Sequence, residues 1–177
     1  MIYEYPNYID DKTIEYIKKQ IYPFIDYSKK KTYNRTGQTV SISENGKHPE
    51  LDLKLFNIFS KIQNDIAQDL FNPQFESGDS GYEFHRYNPN ETCDKHSDGE
   101  VVEKLLRYST VIIFLNTVNE GGELVFNRLN KKVKPEKGKL VLFPPYGMFE
   151  HYTLPSLETR EKVMTWFVYN NVNVNFV

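Results

Sequence analysis

Three residues of this chain have the types and spacing to hold a metal ion: His96, Asp98 and His151. His96 and Asp98 lie two apart, so on an extended segment their side chains project to the same side. His151 follows 55 residues later, at the start of another predicted strand. Two imidazoles and one carboxylate make the facial triad that holds non-haem Fe(II) and leaves open coordination positions. An α-keto acid can take two of those positions and dioxygen the third. Nitrogen and oxygen donors suit a ferrous ion, whereas thiolates would favour zinc or iron–sulfur clusters.

Composition narrows what else the chain can do. It has 177 residues, 39% hydrophobic, with four histidines, one cysteine and a formal net charge of −2. That length fits one domain, and a charge near zero lacks the basic face that binding to nucleic-acid backbones requires. A single cysteine excludes an intramolecular disulfide and a Cys-rich zinc site. Any metal site must therefore draw on histidines and carboxylates. The N-terminal residues show no basic and apolar signal pattern, and no apolar run is long enough for a membrane span. The expectation is a cytoplasmic protein with no membrane and no nucleic-acid partner.

The elements that must position the triad fall into two groups. Asp10 or Asp11 caps a first helix carrying Ile14, Ile17, Ile21 and Phe24, and Pro23 limits its length. The stretch 29–46 reads as a loop with one edge strand at 39–42. Pro49 starts a longer helix whose apolar stripe is Leu51, Leu55, Ile58, Phe59, Ile62, Ile66 and Leu70, ending before Pro73. Residues 73–81 read as a loop. From residue 82 the pattern changes to short β runs at 82–87, 108–115, 123–127, 131–133, 139–143, 151–153 and 162–169. Turn residues such as Gly121 and Gly122 separate them. Many short strands with regular turns predict an α+β, mainly β fold, a β-sandwich or jelly roll with the helices on one outer face. The expected organisation is a single domain over 1–177, with helical support in 1–72 and a β core in 82–169.

Five blocks in order carry a family resemblance. They are 86–98 (RYNPNETCDKHSD), 107–116 (RYSTVIIFLN), 120–126 (EGGELVF), 133–143 (VKPEKGKLVLF), and His151 followed by 159–167 (TREKVMTWF). Together they resemble the prolyl 4-hydroxylase-like Fe(II)/2-oxoglutarate-dependent dioxygenases. The resemblance implies a double-stranded β-helix with iron between its two sheets. It assigns His96, Asp98 and His151 as iron ligands. It assigns Arg160 to the distal carboxylate of 2-oxoglutarate, with Lys162, on the same face of that strand, as second choice. Tyr87 matches a tyrosine whose hydroxyl helps hold the cosubstrate, and Trp166 either lines the pocket or packs in the core.

The implied chemistry is decarboxylation of 2-oxoglutarate to succinate and CO₂ with O₂, coupled to hydroxylation of a peptidyl residue, most simply proline. Ascorbate is the implied reductant. One position departs from the pattern. Relatives that hydroxylate proline usually carry a tyrosine three residues before the first iron histidine, and here that position is Cys93. The departure bears on the substrate and not on iron or cosubstrate. Asp98 itself argues against a halogenase, which lacks this carboxylate. Two other readings are open. A nucleic-acid dealkylase would usually carry an arginine where Trp166 stands, and a jelly-roll binding module without catalysis would have lost a ligand or the cosubstrate cation. Residues 99–106, directly after the first two ligands, are read as a mobile lid or short helix beside the iron.

Overall fold

The architecture, a computed structural model, describes residues 1–26, 35–71, 77–99, 101–102 and 105–169. Eleven strands are found among them: β1 (Tyr3–Tyr5), β2 (Gln38–Ser41), β3 (Ser77–Asp79), β4 (Glu83–Tyr87), β5 (Val101–Val102), β6 (Leu105–Phe114), β7 (Leu124–Phe126), β8 (Lys131–Val133), β9 (Leu140–Phe143), β10 (Tyr152–Thr153) and β11 (Arg160–Tyr169). All pairings are antiparallel. The large sheet runs β1-β9-β6-β11-β4-β2, with β3 pairing β11 and β5 pairing β6; the small sheet runs β10-β7-β8. This is the expected jelly roll, and helices cover the outer face of its large sheet.

The large sheet is buried on both faces, which is why its strands read as nearly continuous apolar runs. Alternation divides them. Val111, Ile113, Leu140, Leu142, Val163 and Phe167 meet the helices, while Ile112, Phe114, Val141, Phe143, Met164 and Trp166 meet Leu124, Phe126 and Val133 of the small sheet. The cavity between the sheets therefore opens among residues of even number on β11.

Helix α1 (Asp11–Ile21) starts where Asp10 accepts a hydrogen bond from the Thr13 amide at 2.8 Å, satisfying an amide that has no partner within the helix. Ile14, Ile17 and Ile21 are buried. Phe24 leaves that stripe: Pro23 sits in a 3₁₀ turn over Tyr22–Phe24, and Phe24 is exposed. Helix α2 (Pro49–Ile62) passes through a π-helical turn (Gln63–Ala67) into α3 (Gln68–Phe71). The extra residue in that turn rotates the later stripe. Ala67 is buried in place of Ile66, which is only partly buried.

Several boundaries differ from the sequence reading. β6 and β11 begin earlier, at Leu105 and Arg160; β11 opens on two charged residues, Arg160 and Glu161, that the apolar pattern does not mark. Strands β1 and β3 lie in segments read as non-strand. β1 pairs with β9 and β2 with β4, so the N-terminal segment contributes strands to the jelly roll as well as helical support. The segment after the first two ligands is not a helix in its described part: Val101 and Val102 pair with Leu106 and Leu105 as a hairpin. Positions 100, 103 and 104, parts of the 29–46 and 73–81 loops, and the end beyond 169 lie outside the described residues.

Candidate metal centre and active site

His96 and His151 face each other across an isolated antiparallel bridge. The His96 amide donates to the His151 carbonyl at 2.9 Å, and the His151 amide donates to the His96 carbonyl at 2.8 Å. This reciprocal pair holds two residues 55 positions apart with their imidazole centroids 4.4 Å apart. Asp98 completes the cluster. His96 Nε2 lies 3.4 Å from Asp98 Oδ1, and His151 Nε2 lies 3.7 Å from Asp98 Oδ2. One donor atom from each of the three lies within 4.8 Å of the others, and among the described residues no other His/Cys/Asp/Glu group does this.

Each of the three is held from behind. His96 Nδ1 donates to the Asp94 carbonyl at 2.8 Å, and His151 Nδ1 donates to the Phe149 carbonyl at 3.0 Å. A carbonyl only accepts, so both protons belong on Nδ1 and both Nε2 lone pairs are left for a ligand. Thr110, wholly buried on β6, donates its hydroxyl to Asp98 Oδ2 at 2.8 Å. The His151 ring is packed by Phe126 and Phe143 at 5.5 and 5.0 Å between centroids. Two nitrogens and a carboxylate, with tautomers set by the backbone, are the donor set a ferrous ion takes.

The electrostatics express the same demand. Burial alone would raise the Asp98 carboxyl, yet the hydrogen bond with His96, the charges of both imidazoles and the Thr110 hydroxyl hold it well below the usual carboxylate range. Burial works against charge on His96, but its bonds with Asp98 and Cys93 push it up to about 10. Burial pushes His151 down to about 4, against the pull of Asp98. A buried carboxylate thus draws positive charge onto the cluster, which is what a divalent cation supplies.

The cavity beside the triad is lined by Arg35, Tyr87, Cys93, Leu124, Thr153, Lys162, Met164 and Trp166 as well as the triad itself. Strand pairing explains the layout. Arg160 lies opposite Tyr87, and Lys162 lies between His85 on β4 and Phe114 on β6. Arg160 is 2% exposed. Its Nη1 donates to the Gly122 carbonyl at 2.6 Å and its guanidinium sits 4.3 Å from the Tyr87 ring centre, while Nη2 is buried with no partner among the described residues. Gly121 shapes this contact: its φ is +75°, and a Cβ there would stand 2.2 Å from the Pro155 carbonyl oxygen. An unpartnered buried donor on Arg160 fits a carboxylate. Burial lowers Arg160 and pushes Lys162 down to about 8.

Of the residues singled out from the sequence, His96, Asp98, His151, Tyr87, Lys162 and Trp166 line one cavity, and Arg160 packs against the ring of Tyr87, itself one of the lining residues. The structure adds three that sequence reasoning missed. Thr110 supports Asp98. Arg35 reaches the cavity from the N-terminal segment, where it bonds Thr39 Oγ1 at 2.9 Å and lies 3.2 Å from His85 Nε2. Arg107 donates to the Asp98 carbonyl at 3.1 Å and stacks 3.8 Å over the Trp166 ring. Position 107 opens a matching sequence block, the one signal that could have marked it. Arg35 and Thr110 carry no such mark.

A sequence profile of the 2OG-Fe(II) oxygenase superfamily matches residues 82–168. Through that segment the chain belongs to the 2OG-Fe(II) oxygenases. No curated protein matches the chain by sequence. Among solved structures, this oxygenase is similar to a viral collagen prolyl hydroxylase from Paramecium bursaria Chlorella virus-1 in its 2OG complex. Identity is 19%, the TM-score is 0.71, and 95% of this chain and 96% of that one are covered. A prolyl-4-hydroxylase from Pseudomonas putida gives 18% identity and a TM-score of 0.70 over 97% and 93% of the two chains. A Trichoplax adhaerens prolyl hydroxylase, in complex with a hypoxia inducible factor peptide fragment, gives 18% and 0.74 over 96% and 83%. As a 2OG-dependent dioxygenase, this oxygenase uses Fe(II), 2-oxoglutarate and O₂.

Proposed function

We propose that this oxygenase hydroxylates a peptidyl proline, with His96, Asp98 and His151 holding the iron and Arg160 receiving the distal carboxylate of 2-oxoglutarate. The observation that carries the reading is the reciprocal backbone pairing of His96 and His151, which turns both Nε2 atoms toward Asp98. When bound, the Fe(II)/2-oxoglutarate pair supplies oxidative decarboxylation to succinate and CO₂ and an oxidant able to hydroxylate an unactivated C–H bond.

The chain's own residues do the rest. The Asp94 and Phe149 carbonyls keep both imidazoles in the ligating tautomer. Thr110 holds the carboxylate. Arg160, stacked on Tyr87 and bonded to the Gly122 carbonyl, offers its unpartnered Nη2 in a buried place where a carboxylate oxygen is held strongly. Met164, Leu124 and the buried face of Trp166 exclude water from the cavity. The peptide reading is supported by the Trichoplax relative, whose structure holds a peptide fragment, and the proline reading by the activities named for all three relatives. Cys93 occupies the place where proline-hydroxylating relatives usually carry a tyrosine, so the peptide sequence accepted here is expected to be its own.

The test is a mass-spectrometric screen of proline-containing peptides incubated with the protein, Fe(II), 2-oxoglutarate and ascorbate. A gain of one oxygen on proline, dependent on 2-oxoglutarate and absent with His96→Ala, is the expected result. Oxygen gain on another residue type, or none on any peptide while 2-oxoglutarate is consumed, would overturn the proline assignment.

A further inference from the structure

The three metal-ligand candidates come from two separate stretches of chain, and one loop touches both. It is the segment 144–150, between β9 and His151. Its far end serves His151: the 3₁₀ turn Gly147–Phe149 presents the Phe149 carbonyl to His151 Nδ1. Its near end serves the turn that holds His96 and Asp98. Ser97, the residue between them, donates its hydroxyl to the Pro145 carbonyl at 2.7 Å and accepts from the Gly99 amide at 3.4 Å. Pro145 is buried, where a carbonyl left without a donor is costly. Next along the loop, the Tyr146 hydroxyl donates to the Arg107 carbonyl, and Arg107 Nη1 donates to the Asp98 carbonyl at 3.1 Å. The Tyr146 ring also closes over Gly99, directly after Asp98. A Cβ at position 99 would stand 2.5 Å from Tyr146 Cδ1 and 3.2 Å from the Pro145 carbonyl oxygen. The glycine is thus required by close approach.

We propose that Ser97 and Tyr146 are positioning residues of the metal centre: they strap the turn 96–99 to the loop that leads into His151, so that the three ligands are gathered before a metal arrives. This rests on the ligand assignment above and deepens it. Thr110 holds the carboxylate of Asp98, and the strap holds its backbone. Without the strap His96 stays tied to His151 by their backbone bridge, but the turn carrying Asp98 is freer in the metal-free protein. Metal binding then bears the cost of ordering it, and affinity falls.

The experiment is titration of the metal-free protein with Mn(II), followed by loss of the free-ion EPR signal, which needs no turnover. Ser97→Ala and Tyr146→Phe each delete one hydroxyl from an exposed residue. Each should weaken Mn(II) binding about two- to tenfold, the net worth of one neutral hydrogen bond. Ser97→Thr keeps the hydroxyl at an exposed position with room for a methyl group and should bind Mn(II) as wild type does. Urea denaturation of the metal-free variants shows that they fold. It also separates the strap from a general packing role, which would lower stability and leave the Mn(II) affinity of the folded protein untouched. Unchanged affinity in either Ser97→Ala or Tyr146→Phe, or a loss in Ser97→Ala that Ser97→Thr shares, would overturn the strap while leaving the ligand assignment intact. Failure of the wild-type protein to bind Mn(II) would overturn both.

Discussion

At the scale of single residues, the centre depends on groups that hold the ligands as much as on the ligands. His96 and His151 are fixed by backbone carbonyls that no side-chain substitution removes, but Asp98 is fixed by one hydroxyl, that of Thr110. Thr110→Val keeps the shape of a wholly buried side chain and deletes that bond. Partners of metal-ligating groups are typically worth ten- to a hundredfold in metal affinity. Titration of Thr110→Val with Mn(II) should therefore show a loss of about that size, and affinity equal to wild type would mean Asp98 needs no such support. The triad was legible because metal ligation constrains residue type and spacing together. Thr110 was not, since a threonine in an apolar strand looks the same whether its hydroxyl bonds a backbone carbonyl or a metal ligand. Lys162 was legible as a same-face neighbour of Arg160 through strand alternation.

At the scale of elements, the long strand β11 links the cavity to the helical layer. Arg160, Lys162, Met164 and Trp166 share one face of it, and the last three line the cavity. Glu161, between the first two, points the other way, 3% exposed, and receives Lys18 at 3.0 Å, the Tyr22 hydroxyl at 2.9 Å and Arg86 at 2.9 Å. This buried carboxylate fastens the end of α1 to the sheet. Glu161→Gln keeps its shape and removes its charge. It should cost about 1.5–3 kcal/mol in chemical denaturation, the range for hydrogen bonds to charged groups. A change within a few tenths of a kcal/mol would show that α1 is held by Ile14, Ile17 and Ile21 alone. The helices themselves were readable from apolar periodicity, and the Asp10 cap from its side chain. The π turn in Gln63–Ala67 was not readable, because nothing in residue type marks where a helix takes one extra residue. The start of β11 was missed for a related reason: its first residues, Arg160 and Glu161, are charged and interrupt the apolar pattern used to find strands.

At the scale of the whole molecule, a polar tier crosses the large sheet from half-buried Thr39 on β2 through buried His85 on β4 to buried Lys162 on β11, in direct register. His85 is 1% exposed, with Nε2 2.6 Å from Glu83 and Arg35 and Lys162 beside it. Burial, reinforced by the two cations and opposed by Glu83, pushes His85 down to about 3 from an ordinary value of 6.5. Between those values the unfolded chain binds a proton that the folded chain refuses, so stability rises with pH across that window. The contribution is complete above about pH 6.5 and is lost as pH falls toward 3. Denaturation of wild type and His85→Gln at several pH values should show a shallower pH dependence in the variant below 6.5, with the triad's own titration cancelling in the difference. Parallel curves would mean His85 is protonated in the folded state. The jelly roll as a whole was legible from strand spacing and ordered blocks. The tier was not, since it joins residues 39, 85 and 162 through sheet topology alone. No helix among the described residues is long and apolar enough to cross a membrane.

The central claim is that His96, Asp98 and His151 make this chain an iron-dependent consumer of 2-oxoglutarate. Succinate release from 2-oxoglutarate with added Fe(II), compared between wild type and His96→Ala, tests it most directly. The account predicts iron-dependent succinate formation by wild type and none above background by the variant, whose fold is kept because the bridge to His151 is made by backbone atoms. Succinate formation that survives His96→Ala, or a folded wild type that forms none and binds no iron, would contradict it.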